Sequence, residues 1–270
     1  MNQRQWIQMD DTTGTSAQKI SRITWSIVGA VTVVALLVGV PLNIAPVLGV
    51  LGLAGSYFFA RSIKQTADSF VQSDLKTRPA SENDQARIFN VVDGLCVVSG
   101  DHRPDIEVTE SEFPIAIAFG NPSHSSIVVS TGFCDLMDRV ETEAVIAHLL
   151  WRIRTGESEM TAYLLHLAAK FSRLGLASLA RAIATRAMNS QAVVWADIAA
   201  CQATRYPPAL ASALEKVESS TATTPEYISF PLWFATPHGT TGATNEGRSF
   251  PSLGVSYPSL ADRIGVLKEI

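Results

Sequence analysis

Asp138-Arg139-Val140-Glu141-Thr142-Glu143-Ala144-Val145-Ile146-Ala147-His148-Leu149-Leu150-Trp151-Arg152-Ile153 is the stretch on which the fold turns. Asp138 and Glu141 have the spacing of a capping box, in which the first accepts from first-turn amides and the second reaches back. The helix they open is apolar nearly all round and stops near Gly156. A helix without a polar face has to be enclosed on every side, so this one is predicted to be the central buried helix.

Working outward toward the C-terminus, Met160 to Arg186 reads as an amphipathic packing helix. Leu164, Leu167, Ala168, Phe171, Leu174 and Leu179 lie on one side of it, and Gly175 marks a bend. Ala192–Thr204 and Pro208–Glu218 read as two more helices, joined at Arg205-Tyr206-Pro207. Residues 219 to 256, rich in Ser, Thr, Gly and Pro, read as a long surface loop, and a short helix from Ser259 to Lys268 closes the chain. Toward the N-terminus, β-rich runs at Ile106–Thr109, Phe113–Phe119 and Ser126–Thr131 predict a small sheet. A helix fits Ser81–Ser99, with Ser81 as its cap and Gly100 as its stop. The polar residues 61 to 80 read as a juxtamembrane linker.

Composition explains what the rest of the chain does. Of 270 residues, 47% are hydrophobic and only 17% charged, with 21 Lys+Arg against 25 Asp+Glu and a net charge of -4. A soluble domain carries about 25% charged residues, and this balance speaks against a nucleic-acid partner. No Asp, Glu, Lys or Arg occurs between Arg22 and Arg61. Within that gap, Ile23–Val40 and Ile44–Ala60 are each close to the roughly 20 residues a spanning helix needs. Pro41, Asn43 and Pro46 break the run, so two spans folded back on each other are predicted over residues 23 to 60. Gly49, Gly52 and Gly55 recur every third residue and open one face of the second span to close approach. A cleaved signal peptide is disfavoured by the long polar leader and the lack of a small-residue cleavage site before Pro41. Arg4, Lys19 and Arg22 precede the spans and Arg61 and Lys64 follow them, whereas the connecting loop has no basic residue. The positive-inside rule therefore expects a cytoplasmic tail (1–22), a cell-membrane hairpin (23–60) and a cytoplasmic domain (81–270). Cys96, Cys134 and Cys201 are widely spaced without a CxxC, which suggests buried thiols rather than a disulfide framework or a cysteine zinc site.

The order of these pieces resembles the membrane-anchored zinc metallopeptidases of the HtpX and CAAX-prenyl protease type, the forty-eighth metallopeptidase family. The resemblance is carried by the hairpin, by Ser126–Gly132, by Val140–His148, by Ala196-Asp197-Ile198-Ala199-Ala200 and by Ser256–Ile264. It implies an α+β fold: a two-helix transmembrane hairpin followed by a mainly helical, zincin-like domain with a small β-sheet. It also implies a role in membrane-protein quality control.

Zinc peptidases of that kind need HExxH on a helix. Two His one turn apart face one metal, and the Glu takes a proton from the metal-bound water. Here the five residues are His148-Leu149-Leu150-Trp151-Arg152. Leu149 cannot act as a base, and Arg152 cannot ligate a cation because guanidinium keeps its proton. The resemblance places the third ligand, a Glu four residues before Asp197, at Val193. It also sets Tyr257 where a His is usual, and Ile115 where the substrate-binding edge strand commonly carries Asn. His102, His124, His166 and His238 read as surface or capping histidines, and nothing marks a base beside Ser130, Cys134 or Cys201.

Catalytic residues and cofactors are therefore expected to be absent, with His148, Leu149, Arg152, Val193 and Asp197 as a vestigial site. The functional expectation is a membrane-tethered pseudopeptidase that binds a protein partner or a membrane-protein segment. The alternatives are an active zinc metalloendopeptidase with unusual ligands and a purely structural anchor. His148 and Arg152 project from one face of their helix. Arg152 is accordingly expected either to take the place of the metal and pair with Asp197, or with another carboxylate on that wall, or to snorkel to solvent while Asp197 caps a turn.

Overall fold

A computed structural model describes residues 3–40, 45–83, 85–188, 191–223, 227–235 and 258–270. Helix α1 (Gln3–Gly39) and helix α2 (Ala45–Leu75) form the N-terminal hairpin. At 1.5 Å per residue they are about 55 and 46 Å long, well beyond the roughly 30 Å of a bilayer core. Their stretches Ser16–Gly39 and Pro46–Leu75 are long and apolar enough to cross a membrane. Val34, Leu37, Val50 and Phe58 face outward, as suits lipid. Within the hairpin, a Cβ on Gly52 would lie 2.8 Å from the Cβ of Ala35, and one on Gly49 would lie 2.6 Å from Leu36 Cδ2. Those two glycines permit the helix contact. Gly55 does not take part, since nothing lies within 4 Å of where its Cβ would be.

Residues 61 to 75 are helical rather than an irregular linker. Ile63, Ala67, Val71 and Leu75, spaced four apart, form a buried stripe that joins the domain core. The polarity of this segment belongs to its other face, which a simple polarity reading cannot distinguish from a loop. Thr24 Oγ1 lies 3.1 Å from Tyr163 Oη, and Ser16 Oγ donates to the Thr155 carbonyl at 2.9 Å, so α1 is also tied to the domain.

The sheet has four strands in the order β1-β2-β4-β3: β1 (Arg78–Pro79), β2 (Asp105–Thr109), β3 (Ala116–Asn121) and β4 (His124–Ser130). β2 runs parallel to β4, with Ile106 opposite Ile127, while β3 pairs antiparallel with β4, Ile117 opposite Val128. β3 and β4 turn at Pro122-Ser123, where Asn121 Oδ1 accepts from the amides of Ser123 (2.9 Å) and His124 (3.0 Å). Gly120 there has φ +90, and a Cβ on it would meet the His124 carbonyl at 2.4 Å.

Helix α3 (Ala86–Ser99) starts five residues later than predicted, and Ser81 does not cap it. Helix α4 (Thr131–Leu136), missed by the sequence reading, is capped by Ser130, whose Oγ accepts from the Phe133 amide at 3.0 Å. Helix α5 (Arg139–Arg154) has the expected capping box, with Asp138 Oδ1 accepting from the Glu141 amide at 2.8 Å and Glu141 Oε2 from the Asp138 amide at 2.9 Å. It is buried along almost its whole length, as its composition required.

The predicted helix over 160–186 is instead two: α6 (Glu157–Arg173) and α7 (Ala177–Ala187), separated at Gly175, where φ is +74. Helices α8 (Ala192–Thr204), α9 (Pro207–Glu218) and α10 (Leu260–Glu269) match expectation, and Ser259 and Asp262 form a second capping box on α10. The loop predicted over 219–256 is not all surface. Phe230–Leu232 form a 3-10 turn, and Leu232, Trp233, Phe234 and Ala235 are buried in the core. The Phe234 amide donates to the Ala116 carbonyl at 3.0 Å, and Trp233 bridges to Ile117. Large apolar side chains in a Ser/Thr/Gly/Pro-rich stretch were the overlooked signal. Tyr257 and His238 lie outside the described residues.

Candidate functional site

The site lies where α5, α8, α10 and the 230–235 segment meet. α5 contributes His148, Leu149 and Arg152, and all three are fully buried. α8 contributes Val193 and Asp197, one turn apart and both buried. α10 contributes Arg263, also buried.

Asp197 is the hub of one cluster. Its Oδ2 accepts from Arg263 Nε at 2.7 Å, and its Oδ1 accepts from Arg263 Nη2 at 2.7 Å. This two-pronged pairing is the strong geometry for guanidinium and carboxylate. Burial alone would raise the Asp197 pKa, but the Arg263 charge and the hydrogen bonds from Arg263 and His148 outweigh it and hold the carboxyl below its usual range. The ionised carboxylate accepts, so His148 Nδ1, 2.9 Å from Oδ1, carries the proton. Burial pushes the imidazole pKa down, against the opposing pull of Asp197, so His148 is neutral. Its Nε2 is buried without a hydrogen-bond partner.

A second cluster surrounds Arg152. Its Nε donates to Glu157, its Nη1 to the carbonyls of Leu232 (2.7 Å) and Trp233 (3.4 Å), and its Nη2 to the carbonyl of Pro231 (3.2 Å). Thr161 Oγ1 donates to the other Glu157 oxygen at 3.0 Å. Arg263 Nη1 donates to the Phe234 carbonyl at 2.7 Å. Two buried arginines thus staple one segment, 231–234, to the helical core.

Of the two carboxylate partners expected for Arg152, Asp197 is not the one taken: the guanidinium pairs with another carboxylate instead. Arg152 takes Glu157, and Arg263 supplies the cation beside Asp197. The snorkelling alternative fails as well, because Arg152 is 0% exposed. Arg263 lay inside the tail segment that carried the resemblance, yet nothing in the sequence signalled that it would reach a helix 66 residues away. Glu157 was hidden by its position beyond Gly156, where α6 begins.

The remaining candidates do not join the site. His102 and His124 are exposed, as expected. His166 is neither a surface nor a capping residue: it is buried between α6 and α2, stacked on Phe70 with ring centroids 4.7 Å apart. Ser130 is committed to α4 and to the backbone of Phe113 and Ile115. Ile115 is buried and its carbonyl accepts from the Ser130 amide at 2.9 Å, so its backbone is not open to another strand. The three cysteines carry no disulfide, and burial pushes each thiol up to about 11, far from a reactive thiolate.

A catalytic zinc would need three protein ligands and an open coordination position. The carboxylate-bound imidazole with its second nitrogen unpaired suits one ligand. No group of three His, Cys, Asp or Glu side chains able to hold a metal occurs among the described residues. With Leu149 in the core and the Arg152 charge beside the same helix face, these residues do not fit a catalytic zinc.

No protein-family profile matches the chain. It is similar, however, to curated relatives over most of its length. A Protease HtpX homolog of Dictyoglomus thermophilum is 28% identical over 254 residues, 78% of this chain and 84% of the relative. Another from Dictyoglomus turgidum is 29% identical over 207 residues, 62% of this chain and 68% of the relative. A third, from Limosilactobacillus reuteri, is 25% identical over 285 residues, covering 83% of this chain and 92% of the relative. The chain is thus similar over most of its length to proteins named Protease HtpX homolog, and it carries two N-terminal helices long and apolar enough to cross a membrane ahead of an α+β domain.

Proposed function

We propose that this protein is a membrane-anchored pseudopeptidase. It keeps the HtpX-like fold, has lost hydrolysis, binds no catalytic zinc, and binds a protein partner or a membrane-protein segment in membrane-protein quality control. Residues 23–60 are its hairpin and residues 81–270 its domain, which faces the cytoplasm. His148, Leu149, Arg152, Val193 and Asp197 are the remnant of the peptidase site. The observation that carries this reading is the fate of Arg152: a fixed positive charge, fully buried, stands at the second ligand position, held by Glu157 and three carbonyls. One imidazole beside an arginine that cannot ligate falls short of the three protein ligands a catalytic zinc needs. The chain's own Trp233 and Phe234 occupy the edge of β3 at Ala116 and Ile117, so a partner does not dock there by adding a strand.

The second reading, an active zinc metalloendopeptidase, is favoured by the unpaired Nε2 of His148 and by relatives named proteases. The test is the metal content of the purified full chain, read beside casein hydrolysis with and without a chelator. The proposal expects substoichiometric zinc and no chelator-sensitive cleavage. It also expects none in Leu149→Glu, where a base is restored but Arg152 and Val193 still stand where ligands are required. Stoichiometric zinc with chelator-sensitive cleavage would overturn it.

A further inference from the structure

A groove of about 880 Å3 lies between the hairpin and the corner where α6 turns into α7. Its walls are apolar: Ile23 and Ile27 from α1, Phe59 from α2, and Phe171, Leu179 and Ile183 from the α6–α7 corner. At one end stand Lys19 and Arg22, the last cations before the charge-free span. We infer that this groove seats one anionic phospholipid of the leaflet on the domain's side, with its phosphate between Lys19 and Arg22 and an acyl chain lying along α1.

Depth is the first argument. Along α1 the lining runs from Lys19 to Val31, and its charge-free part extends beyond Arg22 to Val31. Nine residues at 1.5 Å each make about 13 Å, close to half of a roughly 30 Å hydrocarbon core. A molecule charged at one end and apolar for one leaflet's depth matches that wall.

Charge is the second. Residues 12–67 and 160–196, which include every residue lining the groove, contain Lys19, Arg22, Arg61, Lys64, Lys170, Arg173, Arg181 and Arg186 but no Asp or Glu. Neither Lys19 nor Arg22 has an ion-pair partner among the described residues. An apolar protein segment would fill the walls and leave both cations unanswered, whereas a lipid phosphate answers them.

The third argument is what surrounds the groove. Leu174 and Leu179 are 64% and 48% exposed beside the membrane hairpin. They alternate with Arg173 and Arg181 at the α6–α7 corner, the pattern of a helix lying in a headgroup layer. The bilayer that covers these leucines also supplies the occupant. None of this depends on whether the domain hydrolyses peptides.

The test is native mass spectrometry of the full chain in mild detergent, titrated separately with phosphatidylglycerol and phosphatidylcholine. One phosphatidylglycerol per chain is expected, with phosphatidylcholine retained about 25-fold less, because each of the two basic residues near the phosphate contributes on the order of a factor of five. The exposed double substitution Lys19→Gln, Arg22→Gln should bring phosphatidylglycerol down to the phosphatidylcholine level. Ala30→Trp, which fills the groove, should weaken both lipids, with thermal unfolding unchanged in each variant. Equal retention of the two lipids by the unaltered chain, or undiminished phosphatidylglycerol in the charge variant, would overturn the inference. So would displacement of the lipid by an uncharged transmembrane peptide that binds the charge variant equally well, since that would place a protein segment in the groove.

Discussion

Replacing Arg152 by methionine keeps most of the side-chain volume and deletes the charge. The side chain it replaces is completely buried, whereas that of its partner Glu157 retains 15% exposure. The substitution strands that carboxylate and removes the donors from the carbonyls of Pro231, Leu232 and Trp233. Losing one member of a buried pair costs roughly 3 to 5 kcal/mol. The residual exposure of Glu157 and its bond from Thr161 place the expected loss at the low end, about 3 kcal/mol. For a domain of this size each kcal/mol lowers the melting temperature by roughly 2 to 4 °C, so a drop of about 6 to 12 °C is expected. Thermal unfolding of the full chain in detergent, followed by tryptophan fluorescence, reads it directly. The double variant Arg152→Met, Glu157→Gln removes the stranded charge and should recover about half of the loss. A single-variant shift under about 2 °C, the size of an ordinary surface substitution, would refute the buried-staple account. So would a double variant less stable than the single one.

Acid should weaken the domain in two stages. Folded His148 has its pKa depressed by burial, so below about 6.5 the unfolded chain binds the extra proton and the folded chain does not. Stability therefore falls as the pH drops below that point. Asp197, held below the usual carboxylate range, contributes stability that is lost only lower still, as the pH falls through its folded pKa. Melting temperatures measured from pH 7.5 to 5 should decline, less steeply in His148→Gln; parallel curves for the two proteins would count against this. Gly132→Ala should destabilise by about 2 kcal/mol in urea unfolding, because its Cβ would lie 1.9 Å from the Glu112 carbonyl oxygen. Gly94→Ala, in α3 with nothing within 4 Å, should instead stabilise by about 0.5 to 1 kcal/mol; equal effects from the two would contradict the packing described. A topology reporter fused after residue 80 should be active in the cytoplasm, given the basic residues that flank the hairpin's outer ends. Activity only on the opposite side would reverse the proposed orientation.

Periodicity and local chemistry were enough for the elements whose causes are local. The capping boxes at Asp138/Glu141 and Ser259/Asp262 involve residues three apart, and the charge-free run from Ile23 to Ala60 speaks directly to a bilayer. α8 ended and α9 began where Arg205-Tyr206-Pro207 said they would, because a proline at the start of α9 fixes that boundary with no help from elsewhere. That Leu149, Arg152 and Val193 offer no donor to a zinc ion follows from residue type alone, since a side chain's donor inventory is a property of the residue itself.

What tertiary structure alone decided was pairing. That Arg152 meets Glu157 across the α5–α6 corner, while Arg263 crosses 66 residues to Asp197, depends on where helices pack and not on any spacing along the chain. The 230–235 segment looked like loop because its flanks are polar, yet Trp233 and Phe234 found an unpaired strand edge and a core to fill. Residues 61–75 looked like a linker because half of a surface helix is polar; only the domain packed against the other half shows why the helix persists. A buried charge takes whichever counter-charge the packed elements bring within a few ångströms. That proximity is settled by the whole fold at once.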